Sequence, residues 1–528
     1  MMQPVDQAAQ SPRFSEREKK IIFGGLMLGI LLAALDQTIV ATALPAMARD
    51  LSDVAHMSWV VSAYLLTATA VTPIYGKLSD LYGRKRMLQV AIGWFLAASI
   101  LCALAGSMGQ LVAFRALQGM GGGGLMAMAH ATIADIIAPR ERGRYQGYFS
   151  SVFAAASVAG PVLGGFFAQH LTWRWVFWIN LPIGLLALII CDVALRRLPA
   201  KGVRRRIDYA GAILLMASVG QLLLVTTWGG TAYPWGSPVI IALTLSGLVL
   251  LAAFIYQEMH TPEAILPPRL FRNAVFSVSN TITFLTAMVM FAAIIYLPLF
   301  LQLATGASAE ESGFLLIPLT AGIVCGAFTT GRLVSVTGRY KIFPLIGMSM
   351  VAAVLLLFSR LAVNADRVYA EGLMTLLCMG FGGVLPSMVV AVQNSLEMKD
   401  LGSGTSSVTF FRSMGGSFGV ALVGAVLLSA LDRGARAADT GGLLGPNPGL
   451  TLMRGETGAI ATMNQAGRAA LSQVIAHAFV LGFLVTALIA CLAVLAVVFL
   501  KEVPLRSDNA HGQDEVRRLA REAAELVE

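Results

Sequence analysis

The sequence predicts an all-α integral membrane protein, with two six-helix bundles and two further helices inserted between them. Three observations carry that prediction. Of the 528 residues, 57% are hydrophobic and only 13% charged, with a mean hydropathy of +0.74. Soluble domains carry about 25% charged residues, so a water-soluble globule is excluded. Buried helices of a large soluble enzyme would need far more polar surface than this. Apolar runs of roughly 20 residues, the length that crosses a bilayer, recur along the whole chain. Finally, the segment Gly76-Lys77-Leu78-Ser79-Asp80-Leu81-Tyr82-Gly83-Arg84-Lys85-Arg86 returns in weakened form 255 positions later as Gly331-Arg332-Leu333-Val334-Ser335-Val336-Thr337-Gly338-Arg339-Tyr340-Lys341. Two glycines, a leucine and an arginine keep their places, while Asp80 becomes Ser335. A duplicated helix-loop-helix points to a two-halved transporter, and the lost acid to unequal halves.

Fourteen spans are expected, at 21–44, 57–76, 87–106, 110–134, 147–170, 176–195, 209–228, 237–257, 274–302, 312–331, 342–361, 367–394, 403–430 and 473–500. The first is too long for the apolar region of a signal peptide, and a second follows directly, so it reads as an uncleaved helix. The expected organisation is a cytoplasmic tail (1–20), an N-terminal bundle (21–195), a linker holding two extra spans (196–273), a C-terminal bundle (274–500) with an extracytoplasmic loop at 432–472, and a second cytoplasmic tail (501–528). With both termini inside, the inner segments hold 28 of the 38 Lys and Arg residues and the outer segments 8, counting Arg360 and Arg367 at the outer ends of their spans; Arg115 and Arg412 remain deeper within spans. That asymmetry is the positive-inside pattern. The net charge of +9 therefore reflects topology and contact with anionic lipid headgroups, not nucleic acid.

All five cysteines lie in apolar runs, and neither a disulfide framework nor zinc spacing follows from them. Gly119-Met120-Gly121-Gly122-Gly123-Gly124 fits a dinucleotide fingerprint but lies inside an apolar span without a strand before it, so it reads as helix packing. Gly415-Gly416-Ser417-Phe418-Gly419 fits a nucleophile elbow, again mid-span. No phosphate-binding G-x-x-x-x-G-K-[ST] loop is present, so the chain carries no ATPase of its own. Neither an enzyme nor a bound cofactor is expected.

Four segments carry a family resemblance: Leu35-Asp36-Gln37-Thr38-Ile39-Val40-Ala41-Thr42-Ala43-Leu44-Pro45, the Gly76–Arg86 segment, Arg115-Ala116-Leu117-Gln118-Gly119, and Gly160-Pro161-Val162-Leu163-Gly164-Gly165. The Trp173–Pro182 stretch fits as well. From about residue 21 to 500 the chain resembles the major facilitator superfamily, specifically its fourteen-spanner drug:proton antiporters. The resemblance implies the major facilitator fold, placement in the cell (inner) membrane and small-molecule export driven by the proton gradient. It also implies that Asp80 latches the two halves in the outward-open state, and that the Gly160, Pro161, Gly164, Gly165 motif marks an antiporter.

The residues support a physical reading of their own. Gly76 is expected to permit a tight turn between antiparallel helices. Asp80 should lie near Gly402-Ser403-Gly404, where a helix N-terminus favours a carboxylate. Gly83, Arg84 and Arg86 complete this gate, the two arginines closing a charge network with Asp80; the alternative is a solvated basic loop that only fixes topology. Asp36 lies deep in span one, where a charge must face a cavity or a partner. Arg115 is at similar depth, so Asp36 either loads and releases a proton tuned by Arg115 or forms a permanent pair that orients helices. Gly160, Gly164 and Gly165 should let a neighbouring helix approach, with Pro161 bending the span.

Tyr64, Gln118, Asn280, Tyr296, Gln393, Asn394 and Phe410 are expected to line the cavity. Arg412 either joins them or plays a structural part by snorkelling or capping a carbonyl. Glu371 reaches outer water or attracts cationic substrates. Mostly apolar walls favour hydrophobic or amphiphilic cargo. A dedicated metabolite or lipid exporter and a non-transporting receptor are the competing readings, and a periplasmic adaptor is left open.

Overall fold

The computed structural model describes residues 15–53, 56–57, 59–196, 208–230, 232–305, 316–361, 367–437, 448–453 and 465–505. Among these, fourteen long helices follow one another: α1 (Glu16–Asp50), α2 (Trp59–Tyr82), α3 (Arg84–Ala103), α4 (Met108–Ile136), α5 (Pro139–His170), α6 (Trp175–Ala194, irregular at Ile179), α7 (Tyr209–Trp228), α8 (Pro238–His260), α9 (Ala274–Thr305), α10 (Leu316–Thr337), α11 (Ile342–Leu361), α12 (Arg367–Ser395), α13 (Leu401–Ala437) and α14 (Gln465–Phe499). Among the described residues the only strand-like pairing is an isolated bridge between Gly229 and Tyr233. The N-terminal tail before Ser15, most of the 196–208 linker, two stretches of the 432–472 loop and the C-terminal tail beyond Leu505 lie outside the described residues. Within that loop a short helix, Pro448–Met453, is held by the Gly449 amide donating to Asp432 Oδ1 at 2.6 Å.

Thirteen of these helices are long and apolar enough to cross a membrane, and α4 is the exception. Twenty of its 29 residues are buried, so neighbouring helices shield it from lipid and it tolerates Arg115, Gln118 and a run of glycines. Those glycines set its position. A side chain at Gly119 or Gly123 would collide with the Tyr64 or Ala68 carbonyl of α2, and one at Gly121 with the Phe95 backbone of α3. Gly415 and Gly419 of α13 likewise meet the Phe284 and Met288 carbonyls of α9. Small residues that let backbones touch are the usual means of packing helices in lipid.

Two hydrophobic cores result. Leu26, Leu35, Phe95 and Leu125 belong to a core built from α1–α6, extended by Ile39 and Phe177; Phe300, Phe358, Phe381 and Phe479 belong to one built from α9–α14. Helices α7 and α8 lie outside both, packed on each other, with α7 also against α2 and α13. Ala70, Leu215, Val219, Phe254, Leu266 and Phe410 bury one another there.

The connection after α8 ties this region down. Buried Glu258 accepts from the Ile265 and Leu266 amides at 3.1 and 2.7 Å, Lys77 pairs with Glu263 at 2.8 Å, and Arg269 grips Asp400 through two contacts of 2.9 and 2.8 Å. A cleft of about 720 Å³ opens beside these pairs. Between α10 and α11, buried Tyr340 donates to the Lys501 carbonyl at 3.0 Å and accepts from the Val503 amide at 2.9 Å; burial pushes its hydroxyl above the ordinary tyrosine range. We call the end of the bundle where α1 begins and α14 ends the basic face.

The turn expected at Gly76 is elsewhere. Nothing in Lys77–Tyr82 breaks a helix, so α2 continues to Tyr82 and Gly83 alone separates it from α3 with φ +88°. Gly338, with φ +71°, has the same place after α10. Gly76 serves close approach instead: a side chain there would strike Ser406 and the Gly402 carbonyl of α13.

Replacing Gly119 with Ala forces the α2 and α4 backbones apart and should cost about 1–3 kcal/mol, read as a lower Tm of the purified protein. A methyl group at Gly165, by contrast, would meet nothing within 4 Å. Gly165→Ala should therefore leave Tm unchanged or raise it, alanine being the better helix former by up to about 1 kcal/mol.

Candidate functional site

Asp36, on α1, is the most enclosed acid of the N-terminal core, with no solvent exposure. Its Oδ2 accepts from Arg115 at 2.6 Å, and its Oδ1 from Gln118 and Asn180 at 3.0 Å each. Arg115 and Gln118 lie one turn apart on α4, and Asn180 opens the second part of α6. Arg115 also donates to Gln118 Oε1 at 2.6 Å and to the Val60 carbonyl at 3.1 Å, with its guanidinium over the Tyr64 ring at 4.3 Å. Burying two charges costs several kcal/mol apiece unless hydrogen bonds replace the lost water, and here both carboxylate oxygens are engaged.

Helix α5 seats against α1 just beyond this cluster. Side chains at Gly160 and Gly164 would strike Thr38 and Thr42, and the Thr38 hydroxyl donates to the Ala156 carbonyl at 2.9 Å. Pro161 lies within the continuous helix. Gly165 faces open space, so the close approach expected of all three glycines belongs to Gly160 and Gly164 only.

At the basic face Asp80 joins the two cores. Its Oδ1 accepts from the Gly402 amide at 3.0 Å, and its Oδ2 from the Ser403 amide at 2.9 Å and the Ser403 hydroxyl at 3.3 Å. These amides open α13, so the carboxylate meets both free N–H groups and the positive end of the helix dipole. Arg84, 4% exposed, pairs with Asp80 and with Asp135 of α4 at 2.8 Å each and donates to Ser79 Oγ. The expected network through Arg86 does not form: Arg86 points out to solvent, without an ion pair among the described residues, because Arg84 already fills the space beside Asp80.

The second copy of the motif forms a seam of different chemistry. Gly331 of α10 abuts Gly143 of α5 backbone to backbone, and Arg140 donates to the Ser335 and Val336 carbonyls at 3.0 Å each. Between the two seams, Gln393 of α12 donates to the His130 carbonyl of α4 at 3.2 Å.

Several residues expected to line a cavity are packed away. Tyr64 and Gln118 belong to the Asp36 cluster. Asn280 donates to Phe276 of its own helix, Tyr296 donates to the Val420 carbonyl of α13, and Asn394 holds the chain after α14 through Val503 and Pro504. Phe410 packs with α2 and α7, and Gln393 lies in the seam. The amide nitrogens of Asn280, Gln393 and Asn394 donate within the protein, while their side-chain oxygens are buried without a hydrogen-bond partner. Arg412 alone of this set is only partly buried, and it has no ion pair or hydrogen bond among the described residues. Sequence reasoning passed over Asn180, Asp135, Arg140 and Gly143 as site residues. Asn180 is a polar break in an apolar run, Asp135 reads as an acid at the interface end of its span, and Arg140 and Gly143 lie in a segment counted only for charge.

A family model described as Major Facilitator Superfamily matches residues 26–420. The chain belongs to that superfamily. It is 37% identical over 511 residues to an uncharacterized MFS-type transporter of Mycobacterium tuberculosis, covering 97% of this chain and 74% of that protein. It is 38% identical over 412 residues to the multidrug transporter protein MdtP of Bacillus subtilis, covering 78% and 76%. Among solved structures, the proton:xylose symporter XylE superposes with a TM-score of 0.60 over 93% of this chain and 98% of that one, at 14% identity. This facilitator is a multi-pass membrane transporter, not an enzyme.

Replacing Asp80 with Asn keeps the shape of the contact and removes its charge. A carboxylate at a helix N-terminus contributes up to about 2 kcal/mol, so the closed basic face should lose up to about 30-fold in population. In a cysteine-free background, a cysteine at buried Thr405 should react correspondingly faster with a hydrophilic maleimide. Ser335→Ala should leave that rate unchanged, since only the Ser335 carbonyl enters its seam.

Proposed function

We propose that this facilitator is a proton-driven exporter of hydrophobic or amphiphilic small molecules, of the fourteen-helix drug:proton antiporter kind. The observation that carries the reading is the Asp36 cluster: one acid, buried in a transporter's core and held by Arg115, Gln118 and Asn180. Relatives at 35–38% identity named as a multidrug transporter and a multidrug resistance protein support the cargo class.

In this reading the basic face is the cytoplasmic side of the cell membrane, where Lys and Arg concentrate. The structure then corresponds to a state closed toward the cytoplasm, latched by Asp80. A proton from outside enters Asp36 as Arg115 withdraws, which relaxes the packing of α1 on α4. Rocking of the two bundles then exchanges the closed and open faces. Each proton moving inward releases about 2.3 kcal/mol per 100 mV, enough to drive cargo outward against its gradient.

Asp36→Asn should fold and reach the membrane yet abolish proton-coupled transport, measured as loss of cargo-induced proton flux in everted vesicles. Unaltered flux would remove Asp36 from this role. Cells expressing the parent protein should tolerate several unrelated toxic amphiphiles, and a protonophore should erase that gain. Tolerance to none of a broad panel would count against multidrug export.

A further inference from the structure

Arg412 lies eleven residues into α13, roughly 17 Å along the axis at 1.5 Å per residue. That is mid-membrane, where an unpaired cation costs about 2.5–3.5 kcal/mol or more unless it meets water or a counter-charge. The other faces of α13 are occupied: Phe410 packs with α2 and α7, and Gly415 and Gly419 meet α9. Arg412 shares its face with Thr405 and Thr409, at helical spacings of seven and three. Thr405 Oγ1 accepts from Gln393 at 3.4 Å, and Gln393 also holds the His130 carbonyl of α4. This face therefore looks between the two cores, and Arg412 lies two turns further from the basic face than the Gln393 seal. Arg412 is partly exposed, without a hydrogen bond or ion pair among the described residues, and within electrostatic reach of His130.

The buried acid of the N-terminal core offers Arg412 no counter-charge, since Asp36 is matched by Arg115 at 2.6 Å. Arg412 is thus left without a compensating charge among the described residues. We propose that Arg412 is an anion receptor in the transport path, so that the favoured cargo is a hydrophobic organic acid rather than a lipophilic cation. A guanidinium grips a carboxylate through two parallel hydrogen bonds, a geometry that ammonium or amide cargo does not offer. This inference rests on the transporter reading and narrows its substrate class.

The test compares three probes with one apolar body: 1-naphthylacetate, its primary amide and 1-naphthylethylammonium. Binding to the purified full-length protein is read by quenching of tryptophan fluorescence. The carboxylate should bind about tenfold or more tightly than the amide, the scale of a hydrogen bond to a charged group. Arg412→Gln should bring the carboxylate down to the amide's affinity while leaving the amide unchanged, and Arg412→Lys should recover part of the difference. Equal binding of carboxylate and amide to the parent, or equal loss of all three in Arg412→Gln, overturns the anion receptor. Binding of the amide to the parent protein leaves transport of neutral amphiphiles standing in the first case. Binding of none of the three overturns the receptor, and tolerance to the toxic panel then decides the broader reading on its own.

Discussion

A single carboxylate against two peptide N–H groups joins the two cores at one end of this transporter. Asp80 faces the opening residues of α13 because α2 runs straight past Gly76, whose missing side chain lets the two helices approach. Arg84 fixes the carboxylate from one side and is itself fixed by Asp135. Three helices of the N-terminal core thereby present one rigid acid to the other core. Removing either acid leaves Arg84 paired with the other, whereas removing Arg84 takes the counter-charge from both at once.

Helix α4 belongs to both charged clusters. Near one end it supplies Arg115 and Gln118 to Asp36; in its last turn it supplies Asp135 to Arg84. Its glycine contacts with α2 and α3 leave little room for bending. The two clusters are therefore parts of one stiff element and not independent sites. The same burial explains why α4 falls short of an ordinary membrane-spanning composition: a helix surrounded by protein is freed from the demands of lipid.

Legibility in the sequence followed the strength of each physical signal. Long apolar runs marked the helices because lipid imposes that composition. Asp36 and Arg115 stood out because charge is rare at such depth. Asp80 was placed near Gly402 because topology puts both on one face, and a helix start attracts an acid. Sequence misplaced the end of α2, since helical hydrogen bonding continues beyond the hydrocarbon without any change in residue type until Gly83. It also took Phe410, Tyr296 and Asn394 for cavity lining, because span position gives depth but not the direction a side chain faces. Arg140 escaped notice for a related reason: its partners are the carbonyls of Ser335 and Val336, and carbonyls have no letter in a sequence.

At both seams the N-terminal core contributes a side chain, Asp80 or Arg140, while the C-terminal core answers chiefly with main chain. Every amino acid except proline supplies the same amide, and every one supplies the same carbonyl. The two halves of this joint therefore respond unequally to substitution: a change at Asp80 or Arg140 removes the contacting group itself, whereas a change at Ser335 leaves its carbonyl in place.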